Sequence, residues 1–536
     1  QLGRLERLYQ RRIPTDQVIT PELARALTEL SDETGRQIGI LVDRAGKLVD
    51  VIVGDARQIE ISEMGRYRVG KSRFRGLRFL HTHLKGEPLS HDDLTDLALL
   101  RFDLVAAIEV KDSGLPGNVF LGYLQPEHGD GPPWQVDPPI AIHDLRLDFQ
   151  SFIRSLEEEF GATTRASRKV DGKRRRAILV GVTTGRLDEL RESMEELVDL
   201  AESADLEVVD TILQRRNKLD KKFVVGSGKM KELYIHCMQK DVDLMVFDGE
   251  LSGSQVRAIS EFGELEVWDR TQLILGIFAH RAHSRGGKLQ VELAMLKYSL
   301  PRLVLKDDFL SRLTGGIGAR GPGETKFEVL RRRVRDRIAR LEQELKQLSK
   351  RRKVLRSARN RSPLPIISIV GYTNAGKSTL LNTLTGSDIL AEDRLFATLD
   401  PTSRRLYLPS GQHAILTDTV GFIRDLPSDL AKAFHATLEE LYDADLLLHL
   451  VDISNPHFRD QILAVERILA DLALDNLPIL LVFNKADQVS PEELEEILEE
   501  YPFPCVSAID ASTLAPMLEA IEHKLAPLAT AGASER

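Results

Sequence analysis

The chain has few cysteines and no long apolar segment. Its 536 residues include two cysteines, Cys237 and Cys505, which form neither a disulfide framework nor a metal-binding spacing. We interpret both as core thiols of a protein in a reducing compartment. No run of about 18 apolar residues appears, which excludes a membrane-spanning helix.

The N-terminus lacks the features of a secretory signal. Neither a short apolar core nor a small-residue cleavage site is present in the first residues. The sequence begins with Gln1 rather than Met, which suggests that residues precede it. We therefore expect a cytoplasmic protein that makes no membrane contact, and we expect it to be a monomer.

Acidic and basic residues are unevenly distributed. The formal net charge is -9, yet residues 281–361 contain 23 Lys and Arg against 8 Asp and Glu. That stretch carries +15 and the remainder -24. Clustered lysine and arginine attract phosphates, so the stretch is a candidate contact for a polyanion. The alternative is a solvated helix face.

Apolar periodicity indicates alternating strands and helices before residue 280. Strand patterns in the first 160 residues are Ile38–Val42, Leu48–Val53 and Leu104–Val110. A helix around 146–160 and a basic linker at Arg165–Arg176 follow. The next series favours a small parallel α/β layer; its members are Ala177–Val182, Leu187–Ala201, Leu206–Leu213, Lys229–Lys240 and Leu244–Phe247.

The basic stretch itself predicts two amphipathic helices. Leucines recur at three- and four-residue spacings from Leu289 to Leu303, and apolar residues do so again from Phe327 to Leu348. This pattern is typical of an antiparallel coiled-coil arm. Six arginines lie between Arg331 and Arg340 on the second helix. A linker at Arg356–Pro365 is expected to follow.

A phosphate-binding motif comes directly after the strand pattern Ile366–Val370. It matches G-x-x-x-x-G-K-[ST], in which backbone N–H groups surround the β-phosphate, the lysine reaches the β- and γ-phosphates, and the serine binds magnesium. The helix that begins at Lys377 adds the positive end of its dipole. The motif residues are Gly371, Tyr372, Thr373, Asn374, Ala375, Gly376, Lys377 and Ser378.

Three further segments occur in the order that a guanine-nucleotide site requires. One ends a strand and offers a carboxylate to magnesium and an amide to the γ-phosphate. The next carries an aspartate that can accept from guanine N1–H and the 2-amino group, which selects GTP over ATP. The last offers a backbone N–H to guanine O6. In order, the residues are Asp418, Thr419, Val420 and Gly421; Asn484, Lys485, Ala486 and Asp487; and Val506, Ser507 and Ala508.

A switch segment is predicted between the first two motifs. A GTPase needs a threonine there to complete magnesium coordination when the γ-phosphate is present. We predict Thr398 in this role, with Thr402 and Thr383 as alternatives, so that Ser378 and Thr398 bind magnesium. Lys377, Thr398 and Gly421 would then act on the γ-phosphate. The switch residues are Phe396, Ala397, Thr398, Leu399 and Asp400.

Segments inside and outside the nucleotide motifs carry a family resemblance: Phe396–Thr402, Asp418–Phe422, Asp269–Thr271, Ile277–Ala279, Leu289–Ala294, Leu300–Leu303 and Gly315–Glu324. Through them the chain, over roughly residues 177–525, resembles the HflX family of ribosome-associated GTPases. The resemblance implies a factor that binds the large ribosomal subunit and splits or rescues stalled ribosomes. It also implies that the basic arm, residues 281–361, and the loop Arg320–Glu324 contact ribosomal RNA.

The predicted fold is α/β, with a P-loop GTPase domain, a small parallel α/β subdomain, a two-helix antiparallel arm and an N-terminal α/β extension. GTP and GDP are the predicted ligands and Mg²⁺ the cofactor. Two alternative functions are an RNA-binding adaptor that uses GTP as a ligand switch, and a ribosome-assembly or RNA-modification GTPase. The predicted segments are the extension (1–160), the subdomain (177–280), the arm (281–360), the GTPase domain (363–525) and a tail (526–536).

Two residues bear on the rate of hydrolysis. Phe422 occupies the position at which Ras-like enzymes place a glutamine that orients the attacking water. A phenyl ring cannot do this, so we expect slow intrinsic hydrolysis that a partner accelerates. Asn374 lies where some potassium-activated GTPases bind a monovalent cation, although a loop-shaping hydrogen bond is an equal alternative. A comparison of hydrolysis rates in potassium and sodium distinguishes the two.

The extension contains a second candidate motif. His81, His83, Ser90 and Asp93 resemble the His-x-His…Ser-x-x-Asp zinc signature of JAMM/MPN metalloproteases, in which a glutamate is the general base. The spacer before the serine is one residue shorter here, and Arg36 occupies the place of the glutamate. We therefore expect a degenerate scaffold rather than an active peptidase, with a zinc site as the alternative.

Overall fold

The computed structural model resolves two compact units. The first contains Gln1–Ile178, Arg216–Met245 and Gln255–Val267, and the second contains Leu179–Arg215, Val246–Ser254 and Trp268–Arg536. Among the residues described, no helix has the length and apolar character needed to cross a membrane. The described residues are 2–59, 61, 74–126, 131–169, 174–262, 265–303, 326–359, 364–386, 395–396, 402–423, 441–474 and 476–534.

The N-terminal region forms a seven-stranded sheet of order β2-β1-β3-β4-β5-β6, with β7 beside β5. The pair β3–β4 is parallel, and β1 pairs antiparallel with both β2 and β3. Helix α2 begins at Pro21 because the Thr20 side chain accepts from the Leu23 N–H. The elements are α1 (Leu2–Leu8), α2 (Pro21–Thr34), β1 (Ile38–Asp43), β2 (Leu48–Val53), β3 (Leu77–His83), α3 (His91–Leu100), β4 (Leu104–Val110), β5 (Pro116–Leu124), β6 (Trp134–Val136), β7 (Ile140–Ala141) and α4 (Phe149–Lys169).

The strand predictions at β1, β2 and β4 are confirmed, whereas the helix predicted around residues 146–160 extends further. Helix α4 continues to Lys169, so the first residues of the predicted linker Arg165–Arg176 are helical. The segment contains Gly161 but no proline, and one glycine costs about 1 kcal/mol without ending a helix.

The following α/β series has a four-stranded sheet of order β11-β10-β8-β9. The five segments predicted here each correspond to a strand or helix of this series to within a few residues. Helix α8 begins directly after β11, with the Asp269 side chain accepting from the Gln272 N–H as the cap. The elements are β8 (Arg175–Thr183), α5 (Leu187–Ser203), β9 (Leu206–Arg215), α6 (Ser227–Gln239), β10 (Leu244–Phe247), α7 (Gly253–Phe262), β11 (Glu266–Asp269) and α8 (Arg270–Arg281).

The two predicted arm helices are α9 (Arg285–Leu303) and α10 (Lys326–Arg359). They are joined by ion pairs between Arg337 and Glu292, 2.8 Å apart, and between Lys297 and Glu342, 2.7 Å apart. Helix α10 continues into the predicted linker Arg356–Pro365, because Arg356–Arg359 contains no helix breaker. The Gly-rich segment Gly315–Glu324 lies outside the described residues.

The C-terminal region has a five-stranded sheet of order β13-β14-β12-β15-β16. All its pairs are parallel except β13–β14. The carboxyl ends of β12, β14 and β16 therefore meet at one edge, where ligands bind in open α/β sheets. Helix α14 continues through most of the predicted tail, 526–536. The elements are β12 (Ile366–Gly371), α11 (Lys377–Thr385), β13 (Thr402–Tyr407), β14 (His413–Asp418), β15 (Leu446–Asp452), α12 (Phe458–Asp471), β16 (Ile479–Asn484), α13 (Pro491–Glu500) and α14 (Ala515–Ser534).

Candidate active site

The loop between β12 and α11 depends on two glycines. Gly376 caps α11 with φ 88°, and a Cβ there would lie 2.3 Å from Asn484 Nδ2. A Cβ on Gly371 would lie 2.3 Å from the Leu450 carbonyl oxygen. Because both contacts are shorter than van der Waals packing permits, only glycine fits at either position.

The Lys377 side chain is held inside this loop. Its Nζ donates to the carbonyl oxygens of Tyr372, at 2.7 Å, and Gly371, at 3.2 Å. Burial lowers the pKa of Lys377 to about 8, although the negative charge of Asp418 acts in the opposite direction. Gly421 is close, since a Cβ there would lie 2.9 Å from Lys377 Nζ. The ammonium group is therefore fixed beside the Gly421 segment.

The predicted magnesium ligands are partly brought together. Ser378 Oγ donates to Asp418 Oδ2 at 2.7 Å, and Asp418 is buried at the end of β14. A hydroxyl and a carboxylate side by side supply the hard oxygen donors that Mg²⁺ prefers. These residues therefore fit the ion that the sequence predicts.

The switch threonine, Thr398, lies outside the described residues, as do Ala397, Leu399 and Asp400. Of its two alternatives, Thr383 donates to the carbonyl oxygen of Ala508 at 2.5 Å, so its hydroxyl faces the last guanine motif. Thr402 begins β13, opposite Asp418 in the register. The magnesium role of Thr398 stays a prediction.

The start of the switch is anchored to the α/β series. Phe396 is buried, with φ 58°, and its ring packs edge-on against Phe278 of α8, with centroids 4.6 Å apart. The Leu395 N–H donates to Ser203 Oγ of α5 at 3.0 Å. Residues 395 and 396 therefore contact α8 and α5.

Phe422 is part of the phosphate-loop scaffold. Its side chain is 2% exposed, its N–H donates to the Gly371 carbonyl at 3.1 Å, and its carbonyl accepts from the Thr373 N–H at 2.8 Å. A buried phenyl ring with no polar atom cannot orient water. Phe422 therefore bonds to the phosphate loop through its backbone, and its side chain supplies no general base for hydrolysis.

Asn374, at the apex of the same loop, has φ 62°, a left-handed conformation that asparagine tolerates better than most residues. Its side chain is exposed. Within the described part of the chain it forms no side-chain hydrogen bond, and the loop-shaping alternative stays open. A role in binding potassium stays a prediction.

Asn484 connects the phosphate loop to the guanine segment. Its Nδ2 donates to the Ala375 carbonyl and its Oδ1 accepts from the Ala508 N–H, both at 2.8 Å. Ser507 Oγ donates to Asp487 Oδ1 at 2.6 Å, which orients that carboxylate. Lys485 Nζ pairs with Asp452 at 2.7 Å. Asn484 thus bonds the phosphate loop to the guanine motifs. The Asp487 residue is exposed.

The amides of the last motif all donate within the protein. The Val506 N–H donates to the Phe483 carbonyl, the Ser507 N–H to Thr513 Oγ1, and the Ala508 N–H to Asn484. Guanine O6 would have to share one of these donors. The predicted contact with O6 stays a prediction.

A buried ion-pair network under the phosphate loop was not expected from the motifs. Tyr372 Oη donates to Glu196 Oε1 of α5 at 2.8 Å. Glu196 Oε2 lies 2.7 Å from Arg270, which also bonds Asp248 at 2.8 Å. Arg270 lies within the segment Asp269–Thr271 that the family resemblance includes, but no sequence signal marks Glu196. The phosphate loop is therefore bonded to α5 and, through Arg270, to α8.

Comparisons with known proteins find GTPases that are similar to this chain. Family models match residues 191–279 as "GTP-binding GTPase N-terminal", 281–359 as "GTP-binding GTPase Middle Region" and 366–485 as "50S ribosome-binding GTPase".

Individual relatives are similar over the same region. The GTPase HflX of Caldanaerobacter subterraneus is 48% identical over 350 residues, covering 65% of this chain and 80% of the relative. The GTPase HflX of Escherichia coli is 43% identical over 306 residues, covering 57% and 72%. Among solved structures, a GTP-binding protein from Sulfolobus solfataricus in complex with GDP is 26% identical, with 66% of this chain and 99% of that chain covered and a TM-score of 0.36.

Proposed function

Since this chain belongs to the HflX family of GTPases and hydrolyses GTP, we propose that it binds the large ribosomal subunit and acts in splitting or rescue of stalled ribosomes. The observation that carries the proposal is the charge of +15 on residues 281–361, a stretch that contains helices α9 and α10. The matching GTPase-domain model is itself described as 50S ribosome-binding. The protein would act in the cytoplasm as a monomer.

The site residues suggest a division of roles in hydrolysis. The backbone amides of 371–378 and the Lys377 ammonium would hold the β- and γ-phosphates, and the Gly421 amide the γ-phosphate. Ser378 and Thr398 would bind magnesium, with Asp418 acting through water. Magnesium, when bound, neutralises charge that develops between the β- and γ-phosphates. Asp487 would select guanine.

Water positioning is the role that the described residues leave unassigned. The buried Phe422 ring cannot supply it, so intrinsic hydrolysis would be slow. We attribute the positioning of the attacking water to the ribosome. The rate of GTP turnover would then depend on ribosome binding. If the ribosome did not stimulate turnover, the same residue would favour the adaptor alternative, in which GTP acts as a ligand switch.

Reversing charge on the arm is expected to weaken ribosome binding. Arg332, Arg333 and Arg335 are exposed on α10, and removing one arginine–phosphate interaction reduces the slope of log affinity against log salt by roughly 1. The triple change of these arginines to glutamate should therefore lower the slope by roughly 3. The measurement is cosedimentation of the full chain, loaded with a non-hydrolysable GTP analogue, with purified large subunits across a salt series.

The control reverses the same number of charges elsewhere on the surface. Lys111, Lys221 and Lys524 are exposed and lie outside the arm, so their change to glutamate should leave the salt slope almost unaltered. If the salt slope fell equally in the two triple variants, net charge rather than the arm would govern ribosome binding. Unaltered binding in both would contradict the proposal.

A further inference from the structure

Three side chains of the first compact unit converge on one another. His81 and His83 lie two residues apart on β3, so they point to the same face of the sheet, and Asp93 lies in the first turn of α3. His81 Nε2 is 3.0 Å from His83 Nε2 and 3.3 Å from Asp93 Oδ1. His83 Nε2 is 3.5 Å from Asp93 Oδ2. Both imidazoles are buried.

Hydrogen bonds fix how these groups face each other. His83 Nδ1 lies 2.8 Å from the Glu87 carbonyl oxygen, which can only accept, so Nδ1 carries a proton and, in neutral His83, Nε2 presents a lone pair to the cluster. Metal-binding histidines commonly use this arrangement. Asp93 Oδ2 accepts from the N–H and Oγ of Ser90, both at 2.7 Å. Ser90 therefore holds the carboxylate with Oδ1 towards His81.

Protein hydrogen bonds do not account for both imidazoles. The capping box of α3 requires Ser90 and Asp93 alone. Two Nε2 atoms 3.0 Å apart can share one proton, but His81 Nδ1 is then buried without a hydrogen-bond partner among the described residues. A buried polar atom left in this way costs about 1–3 kcal/mol. Because this cost is borne at His81 Nδ1, we expect His81 Nε2 to make an interaction stronger than a hydrogen bond within the protein.

The distances fit a single metal ion. Ligands at about 2.0–2.1 Å from a tetrahedral zinc are separated by about 3.3 Å, and the three separations here are 3.0, 3.3 and 3.5 Å. We propose that His81, His83 and Asp93 bind one divalent transition-metal ion. Two imidazoles and one carboxylate best match zinc.

The described residues leave one coordination position of the proposed site open. Among the described residues no fourth His, Cys, Asp or Glu joins this group. Three protein ligands plus water is the arrangement of zinc sites that act on a small ligand, rather than of closed structural sites. Arg36, at the place expected for a glutamate base, lies 3.4 Å from the Gly54 carbonyl. The proposal is therefore a metal site with bound water, and it makes no claim of peptidase activity.

The test is metal binding by the purified full chain without nucleotide. After removal of metals with a chelator, the chain is titrated with Zn²⁺, and the bound ion is counted by mass spectrometry. Cobalt replaces zinc in a parallel titration, because its visible absorption reports the coordination number. We expect about one ion per chain, a low-coordinate cobalt spectrum and a higher unfolding temperature of the first unit with zinc.

Two variants assign the ion to these residues. His83→Ala removes a ligand and should weaken zinc binding by at least about 100-fold. Asp93→Asn should also weaken it while the chain stays folded, because the amide oxygen can still accept from Ser90. The matched control is His457→Ala, since Glu192, His457 and Asp460 form the other metal-capable group among the described residues. That variant should bind zinc as the wild type does.

The proposal is overturned if the folded wild type binds no zinc or gives an octahedral cobalt spectrum. It is also overturned if zinc survives His83→Ala and Asp93→Asn, or if His457→Ala abolishes binding. Because the GTP site is not involved, none of these results bears on the proposed ribosomal function.

Discussion

Replacing Lys377 by methionine is expected to reduce the rate of GTP hydrolysis by about 1000-fold, the scale of losing a preorganised charge at the reacting phosphates. Methionine fills a similar volume but brings no charge to the β- and γ-phosphates. The measurement is single-turnover hydrolysis at saturating GTP, with and without large ribosomal subunits. Lys524→Met, at an exposed position outside the site, should leave the rate unchanged.

The same substitution should not destabilise the nucleotide-free protein. Burial lowers the pKa of Lys377 to about 8 from an ordinary value of 10.5, so at neutral pH the ionised group is less stable in the folded site than in the unfolded chain. An apolar replacement removes that cost. Thermal unfolding should therefore occur at the same or a higher temperature. Hydrolysis within tenfold of wild type, in a variant that still binds GTP, would contradict the role proposed for Lys377.

Asp487→Asn is expected to lower GTP affinity by roughly 100-fold, because two guanine N–H groups lose their acceptor at about 1–3 kcal/mol each. The asparagine amide donates instead, so affinity for xanthosine triphosphate, which has a carbonyl at that position of the base, should rise. Ser507 Oγ, 2.6 Å from Asp487 Oδ1, can keep the new side chain oriented. Competition binding with both nucleotides measures the change.

The control for this change is Asp471→Asn, at an exposed residue at the end of α12. It makes the same chemical substitution outside the nucleotide motifs and should leave the preference for GTP intact. If Asp487→Asn also keeps that preference, guanine is selected by another group. The backbone amides of residues 506–508 would then be the first candidates for the group that selects guanine.

Local sequence patterns were sufficient for most of the regular structure. Continuous apolar runs predict buried strands such as β12 and β16, and helix α5 follows from its 3.6-residue periodicity. Strand β3 lacks such a pattern, because Arg78, His81 and Thr82 are buried polar residues within it. The ends of α4 and α10 were misplaced, since charged residues without proline or glycine continue a helix as readily as they form a linker.

The nucleotide motifs could be found because much of their chemistry resides in the backbone of short segments. The contacts between segments could not be found in that way. Asn484 bonds Ala375 across 109 residues, and Tyr372 bonds Glu196 across 176. Such pairs depend on how the sheets and helices pack, and no local spacing encodes them. The cluster of His81, His83 and Asp93 differs from these pairs, because its resemblance to a zinc signature indicated it from the sequence.

One measurement tests whether the ribosome completes a site in which Phe422 cannot position water. GTP hydrolysis by the full chain is followed alone and with purified large ribosomal subunits. We predict a slow rate alone and an increase of at least about 100-fold with the subunits. Fast hydrolysis without a partner, or bound subunits that leave the rate unchanged, would contradict the claim.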